Sequence, residues 1–254
     1  MPGILYLIPN TLGQSEATSA QPPATGLSAV IPFEVQALTA RLDYFIAENA
    51  KTTRAFLKLI DAVRSLAKPL QEIQIAELNV NTAGNALPAL LAPILAGQDA
   101  GLISEAGVPA VADPGANLVR LAHAHGIQVR PLVGPSSLLL AVMSSGLNGQ
   151  SFAFNGYLPT DAEQRSKRIK ALELRSRQEQ QTQLFIETPY RNSAFLEALA
   201  NACQASTLIC VATDLTLPSE TIRTQTAAKW KAALAAGKHP DFHKKPTVFL
   251  FLAQ

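Results

Sequence analysis

The chain has 254 residues, 48% of them apolar and 16% charged. That length suits one large domain or two modest ones, and the composition excludes a disordered or coiled-coil chain. Lysine and arginine number 21 against 19 acidic residues, a net charge of +2, which excludes a histone-like or ribosomal-protein-like basic character.

Residues 3–9 form an apolar run that ends in Pro9-Asn10-Thr11-Leu12-Gly13, predicting a buried strand and then a loop. The apolar start has no basic region before it, so no signal peptide is expected. Residues 15–28 are rich in Ala, Pro, Ser, Thr and Gln without an apolar period, and predict a mobile surface loop. Residues 33–42 predict a helix and residues 44–47 a short strand. Residues 52–66 carry Phe56, Leu59, Ile60 and Val63 on one helical stripe. Residues 85–95 predict a helix of small residues, with Pro93 near its end or at a kink. The apolar run 86–97 is too short for a bilayer, which needs about 20 residues.

Residues 101–103 predict a buried strand, 115–125 a helix closed by Gly126, 127–133 a strand and 136–145 a helix. This alternation predicts a mostly parallel α/β sheet in an N-terminal domain of residues 1–135. In a second α/β domain, residues 136–254, strands are expected at 152–154, 184–187, 208–213 and 247–252. Helices are expected at 161–181, 192–203 and 227–236. The first domain holds 8 basic and 10 acidic side chains, the second 13 and 9. The surplus gathers at Arg165, Lys167, Arg168, Lys170, Arg175 and Arg177. A solvated helix face is the favoured reading of that run, and a phosphate-contacting surface the sharper one.

Cys203 and Cys210 are too few for a disulfide scaffold and are not spaced as zinc ligands, so a reducing cytoplasm is the expected compartment. His123 and His125 point to different helix faces, and Pro240 separates His239 from His243, so no metal site is expected. The chain lacks a dinucleotide-binding glycine fingerprint, a Walker loop and a nucleophile elbow.

Chemistry concentrates in loops that follow strands, where ligands of open α/β sheets bind. Ser104-Glu105-Ala106-Gly107-Val108-Pro109 leads into Ala112-Asp113-Pro114-Gly115. Ala106 and Gly107 remove side-chain bulk, so backbone groups can touch a ligand. Asp113 is expected to cap the following helix, with Pro114 at its first position. Glu105 reads as an acid or base, or as a carboxylate that orients a ligand. Val133-Gly134-Pro135-Ser136-Ser137 is a second such junction; its serines cap a helix or face a polar ligand group. Glu187-Thr188-Pro189-Tyr190-Arg191 and Phe154-Asn155-Gly156-Tyr157-Leu158-Pro159 are further ones.

In this order the motifs resemble the tetrapyrrole methylase superfamily, the class III S-adenosylmethionine-dependent methyltransferases. The branch that looks closest is the bacterial 16S ribosomal RNA ribose 2′-O-methyltransferases. Besides those four junctions, Gly3-Ile4-Leu5-Tyr6-Leu7-Ile8-Pro9-Asn10-Thr11-Leu12-Gly13 looks like the family's first strand and loop. Ile46-Ala47-Glu48-Asn49, with Lys51 and Thr53-Arg54, looks like its Ala-Glu-Asp-Thr-Arg segment. The resemblance implies two α/β domains with a cofactor cleft between them, and usually a homodimer. It implies S-adenosylmethionine contacts at Leu7, Pro9, Glu105, Ala106, Gly107, Val108, Pro135, Ser136, Ser137, Thr188, Pro246 and Thr247. Glu48, Lys51, Arg54, Glu187 and Arg191 become candidates for substrate orientation or proton handling.

The family's Asp of the first signature is Glu105 here, one methylene longer, and the loop after the first strand is longer and rich in Gln and Ser. The cofactor loops nevertheless match better than the substrate surface does. Asn49, Lys51 and Tyr190 replace the family's Asp, Arg and His, and Thr213-Asp214-Leu215-Thr216-Leu217 stands where it carries Arg-Glu-Leu-Thr-Lys. The expected activity is methyl transfer from S-adenosylmethionine to RNA, on a ribosomal RNA ribose. The alternatives are a tetrapyrrole C-methyltransferase and a binding module that keeps the cofactor without catalysis. No membrane partner is expected; RNA or a ribosomal subunit is.

Overall fold

The computed structural model describes residues 1–13 and 23–254. These form two compact units, Met1–Ser136 and Ser137–Gln254. Most of the expected loop at 15–28 lies outside the described residues. Its last part is helical instead, within α1 (Pro23–Val30).

The N-terminal unit contains β1 (Ile4–Ile8), α1, α2 (Phe33–Arg41), β2 (Tyr44–Ala47), α3 (Ala50–Asp61), β3 (Gln74–Glu77), α4 (Leu87–Leu95), β4 (Ala100–Ile103), α5 (Ala116–Ala124) and β5 (Gln128–Pro131). Its five strands pair in parallel, in the order β3-β2-β4-β1-β5. Side chains alternate across a strand, and the central strands β1, β2 and β4 feed two cores. Tyr6, Ile8, Phe45 and Ala47 pack with Leu27, Phe56, Leu57 and Ile60 on one face. Leu5, Tyr44, Ile46 and Leu102 pack with Leu91, Ile94, Leu118 and Ala122 on the other. Burial on both faces explains why these strands read as apolar runs in the sequence. Pro93 sits inside α4, which continues to Leu95.

The C-terminal unit contains α6 (Ser137–Ser145), β6 (Phe152–Phe154), α7 (Ala162–Glu179), β7 (Thr182–Ile186), α8 (Asn192–Ala202), β8 (Leu208–Thr213), β9 (Thr221–Thr226), α9 (Ala227–Ala235) and β10 (Thr247–Leu252). The strand order is β6-β7-β10-β8-β9. Only β6 and β7 pair in parallel; β10 runs antiparallel to β7 and β8, and β9 antiparallel to β8. Phe185, Phe249 and Phe251 pack on Ile169, Phe195, Leu199 and Trp230 in one core. The Trp230 indole N–H donates to the Ile209 carbonyl at 2.9 Å, so the ring is buried without an unpaired donor.

Two strands are absent from the sequence reading: β3 and β9, each an edge strand of its sheet. No helix among the described residues is long and apolar enough to cross a membrane.

Candidate functional site

In the N-terminal sheet the chain leaves β1 toward β2 and β3, and leaves β4 toward β5 on the opposite side. The neighbours β1 and β4 are therefore the topological switch point, from which the connections leave to opposite sides of the sheet; ligands of open α/β sheets bind at the carboxyl ends of such strands. The two loops are interlocked there. Asn10 N–H donates to the Gly107 carbonyl at 2.8 Å, and Gly107 N–H returns a bond to the Thr11 carbonyl at 3.3 Å. The Asn10 side chain donates to the carbonyls of Ser104 and Glu105 at 3.1 and 3.0 Å. Asn10 is thus a brace between the loops, a role its place in a Pro-Asn-Thr turn did not reveal.

Close backbone approach sets the residue types. Gly107 has φ 65°, and a Cβ there would meet Leu12 at 3.0 Å and the Pro135 carbonyl at 3.4 Å. A Cβ on Gly134 would lie 2.3 Å from Pro9. The loops after β1, β4 and β5 thereby share one end of the sheet. Leu7, Pro9, Glu105, Ala106, Gly107, Val108, Pro135 and Ser136 are brought together in this unit.

The loop after β4 is strained as well as close-packed. Ala110 and Ala112 both take φ 65°, a left-handed conformation that costs a non-glycine residue about 1–2 kcal/mol. The expected cap of α5 is corrected here. Gly115, at φ 138°, is the N-cap and makes no side-chain bond, and Asp113 precedes it with Pro114 outside the helix. Asp113 instead stands near Ser104, Glu48 and Glu105. Burial, then repulsion from Glu48, pushes its carboxyl up to about 6; Ser104 acts in the opposite sense and Glu105 adds to the rise. Glu48 follows β2 and accepts the Glu105 N–H at 3.1 Å through Oε2.

Lys51 and Arg54 lie on α3, whose first turn is capped by Asn49 through bonds from Lys51 N–H at 2.9 Å and Thr52 N–H at 3.4 Å. The asparagine that departs from the family's aspartate therefore keeps a helix-capping role. Both basic side chains are exposed and make no ion pair or hydrogen bond among the described residues.

The C-terminal unit builds a different cluster, where β7 and β8 end and β10 begins. Glu187 is buried; its Oε1 accepts the Thr188 N–H at 2.7 Å, and its Oε2 lies 3.2 Å from Arg191 Nη2. Asn192 is 0% exposed and donates through Nδ2 to the carbonyls of Phe242 and Lys245 and to Thr247 Oγ1. Thr247 Oγ1 also meets Thr213 Oγ1 at 3.2 Å. Asp214, at φ 52°, donates its N–H to the Pro246 carbonyl at 2.9 Å and accepts from Ser219 Oγ at 2.8 Å. Lys245 Nζ stands 3.8 Å from Asp214. The segment 213–217 lacks the family's two basic ends, yet the structure returns a cation to Asp214 from a loop about thirty residues away. Thr188, Pro246 and Thr247 belong to this cluster; Ser137 is the first residue of α6. Sequence reasoning missed Asn192 and Lys245, which carry no local motif.

Relatives and solved structures agree with this architecture. The chain is 38% identical to Ribosomal RNA small subunit methyltransferase I of Mesorhizobium japonicum over 63% of its own length and 53% of that protein's. It is 32% identical to the protein of the same name from Xylella fastidiosa, over 74% of this chain and 64% of the relative. The chain thus spans about half to two thirds of those relatives. A crystal structure of the methyltransferase CobJ superposes with a TM-score of 0.61 at 17% identity, covering 99% of this chain and 94% of the other. Cobalt precorrin-4 methyltransferase CbiF gives 0.58 at 14%, covering 98% and 94%. These likenesses show the two-domain fold. The sequence profile described as Tetrapyrrole (Corrin/Porphyrin) Methylases matches residues 26–230, most of the chain, and the chain belongs to that family.

Proposed function

We propose that the chain is an S-adenosylmethionine-dependent methyltransferase that acts on RNA, on a ribose hydroxyl of small-subunit ribosomal RNA. The observation that carries this reading is the interlocked pair of loops at the β1–β4 switch point, held by Asn10 and Gly107. Ligands of such sheets bind there. The relatives' name supplies the substrate class.

The residues present suit this cofactor. Small residues and backbone form the loops, and a buried Ser104 hydroxyl has no hydrogen-bond partner. In the N-terminal unit Leu7, Pro9, Glu105, Ala106, Gly107, Val108 and Pro135 would hold it. When bound, the cofactor supplies a methyl group on a positively charged sulfur. The chain's own task is alignment and exclusion of water, which suits rigid loops of small residues. A ribose hydroxyl must also lose a proton. Glu48 and Glu187 remain the carboxylates proposed for this step or for orienting the acceptor. Glu187 is firmly held by the Thr188 N–H and Arg191, which favours orientation. Cytoplasmic residence and a homodimer are part of the same proposal.

The test is labelled methyl transfer from S-adenosylmethionine to small-subunit RNA taken from a strain lacking this gene. Label in a ribose is the expected result. Label only in a reduced tetrapyrrole, offered in parallel, would overturn it. Cofactor binding is read separately by melting. At about one hundred times Kd a ligand stabilises by roughly 2.7 kcal/mol, a rise on the order of 5–10 °C at this size.

A further inference from the structure

Two loops of the C-terminal unit meet beside the Asn192 and Thr247 cluster. One is the turn of residues 188–191 that follows β7, and the other is the segment 238–246 between α9 and β10. Lys244 N–H donates to the Pro189 carbonyl at 3.1 Å and ties the two together. The longer loop is fixed from the core side. Phe242 is 1% exposed within the core of this unit, and the Asn192 amide holds the carbonyls of Phe242 and Lys245. The backbone of both loops is therefore shaped before any ligand arrives.

On this support stand two groups that the fold does not use. Tyr190 is 73% exposed. Its one ring contact among the described residues is the Lys244 ammonium, 6.0 Å from the ring centroid. Lys244 is exposed and makes no ion pair among the described residues, whereas the neighbouring Lys245 engages Asp214 and Asp241. Lys244 also holds φ 59°, a left-handed conformation that glycine or asparagine adopts at less cost. Backbone strain beneath an exposed, unpaired cation serves recognition rather than stability. The surroundings favour an anion: residues 238–246 hold three lysines and two histidines against a single acidic residue, Asp241.

An exposed ring beside a free ammonium complements a nucleotide. The face of a base stacks on the ring, and the phosphate takes the cation. Only an unpaired base presents its face, so the partner is single-stranded at this point.

We propose that Tyr190 and Lys244 form a landing site for one unpaired nucleotide of the RNA substrate, its base stacked on the Tyr190 ring and its phosphate on Lys244. This rests on the RNA methyltransferase reading above and names the surface that reading requires. Thr188 and Pro246, expected cofactor contacts, stand two residues from Tyr190 and Lys244 in the chain. The same two loops would thus fix an RNA strand relative to the methyl donor.

Fluorescence anisotropy of a labelled single-stranded RNA of about 12 nucleotides, within the length such sites cover, reads binding by the full chain in the presence of S-adenosylmethionine. Tyr190→Ala should weaken binding roughly tenfold without altering its salt dependence. Tyr190→Phe keeps the ring and should bind as the unaltered chain does. Lys244→Asn should weaken binding and flatten the slope of log affinity against log salt by about 0.7, the share of one phosphate on a single strand. Asparagine tolerates the left-handed backbone, so the loop survives that change. Binding of an RNA duplex of the same length should be insensitive to Tyr190→Ala. Equal losses in Tyr190→Phe and Tyr190→Ala, or unchanged binding in either Tyr190→Ala or Lys244→Asn, overturn the site and leave the RNA reading standing. Variants that bind this RNA as before but the intact small ribosomal subunit less well would give the surface to a ribosomal protein, which also overturns the nucleotide site. An unaltered chain that binds no RNA would overturn the RNA reading itself, and the site with it.

Discussion

The two units use β-sheets in opposite ways. In the N-terminal unit all five strands run parallel, so every strand delivers its following loop to the same end. The loops meet largely backbone to backbone, braced by the Asn10 side chain, and small residues decide how closely. In the C-terminal unit β10 runs against both neighbours. One end of that sheet therefore collects two strand ends and one strand start. Their loops are joined by buried side chains, chiefly Asn192 and Thr247. The contrast separates two kinds of fragility: loss of a polar side chain should hurt the second unit, and gain of a methyl group the first.

The largest effect is expected at Asn192. Its amide serves three acceptors from the segment 242–247, and none of it reaches solvent. Asn192→Ala removes these three bonds and leaves a buried void, while the Phe242 carbonyl keeps the Lys245 N–H and the Lys245 carbonyl keeps the Thr247 hydroxyl, at about 2–3 kcal/mol. Denaturant unfolding of the purified chain checks this. A loss under about 1 kcal/mol would mean that water replaces the amide and that the cluster is less closed than its bonds indicate.

Next is Gly134→Ala. The new Cβ would fall 2.3 Å from the Pro9 ring, which cannot rotate away. The loops after β1 and β5 must part, at about 2 kcal/mol, and cofactor binding should weaken with stability. If stability falls and cofactor affinity does not, Pro9 is not part of the binding surface.

A smaller effect of opposite sign is expected at Ala112. Replacing alanine by glycine ordinarily destabilises a chain by entropy. Here φ is 65°, and Ala112→Gly relieves left-handed strain. The balance should be a gain of about 0.5–1 kcal/mol, seen as a higher melting temperature. A loss would show that the loop adopts another conformation in solution.

How far the sequence carried the fold follows from the same physics. Strands buried on both faces, such as β1 and β4, declare themselves as apolar runs. The edge strands β3, Gln-Ile-Ala-Glu, and β9, Thr-Ile-Arg-Thr-Gln-Thr, carry polar residues. Such composition blunts an exposed edge and hides it from a reading based on hydrophobicity. The site divides likewise. The loops at 104–109 and 133–137 are legible because glycine, proline and serine act on their own neighbours. Asp113 was misplaced as a cap because Asp-Pro-Gly suits any helix start; its like-charged neighbours come from β2 and β4. Asn192 and Lys245 were invisible because the partners that tie them into the cluster lie far away in the chain, Asp214 31 residues from Lys245 and Phe242 50 residues from Asn192.

The smallest effects are expected on α7, where the basic surplus of the second unit sits. Most of that charge is already engaged. Arg165 donates to the carbonyls of Pro159 and Thr160, and Lys167 pairs with Glu163. Arg175 pairs with Glu179, and Arg177 reaches Gln204 and the Gln254 carbonyl. Arg168 and Lys170 are the two left exposed without a partner among the described residues. An exposed pair such as Lys167–Glu163 contributes little, so Lys167→Ala should change stability by no more than a few tenths of a kcal/mol. If α7 is a solvated face, Arg168→Ala with Lys170→Ala leaves RNA binding and its salt dependence unchanged. Two phosphate contacts would instead flatten the slope of log affinity against log salt by about 1.4–1.8. That shallower slope, at unchanged cofactor affinity, would move the RNA surface onto α7 and leave the switch-point loops to the cofactor alone.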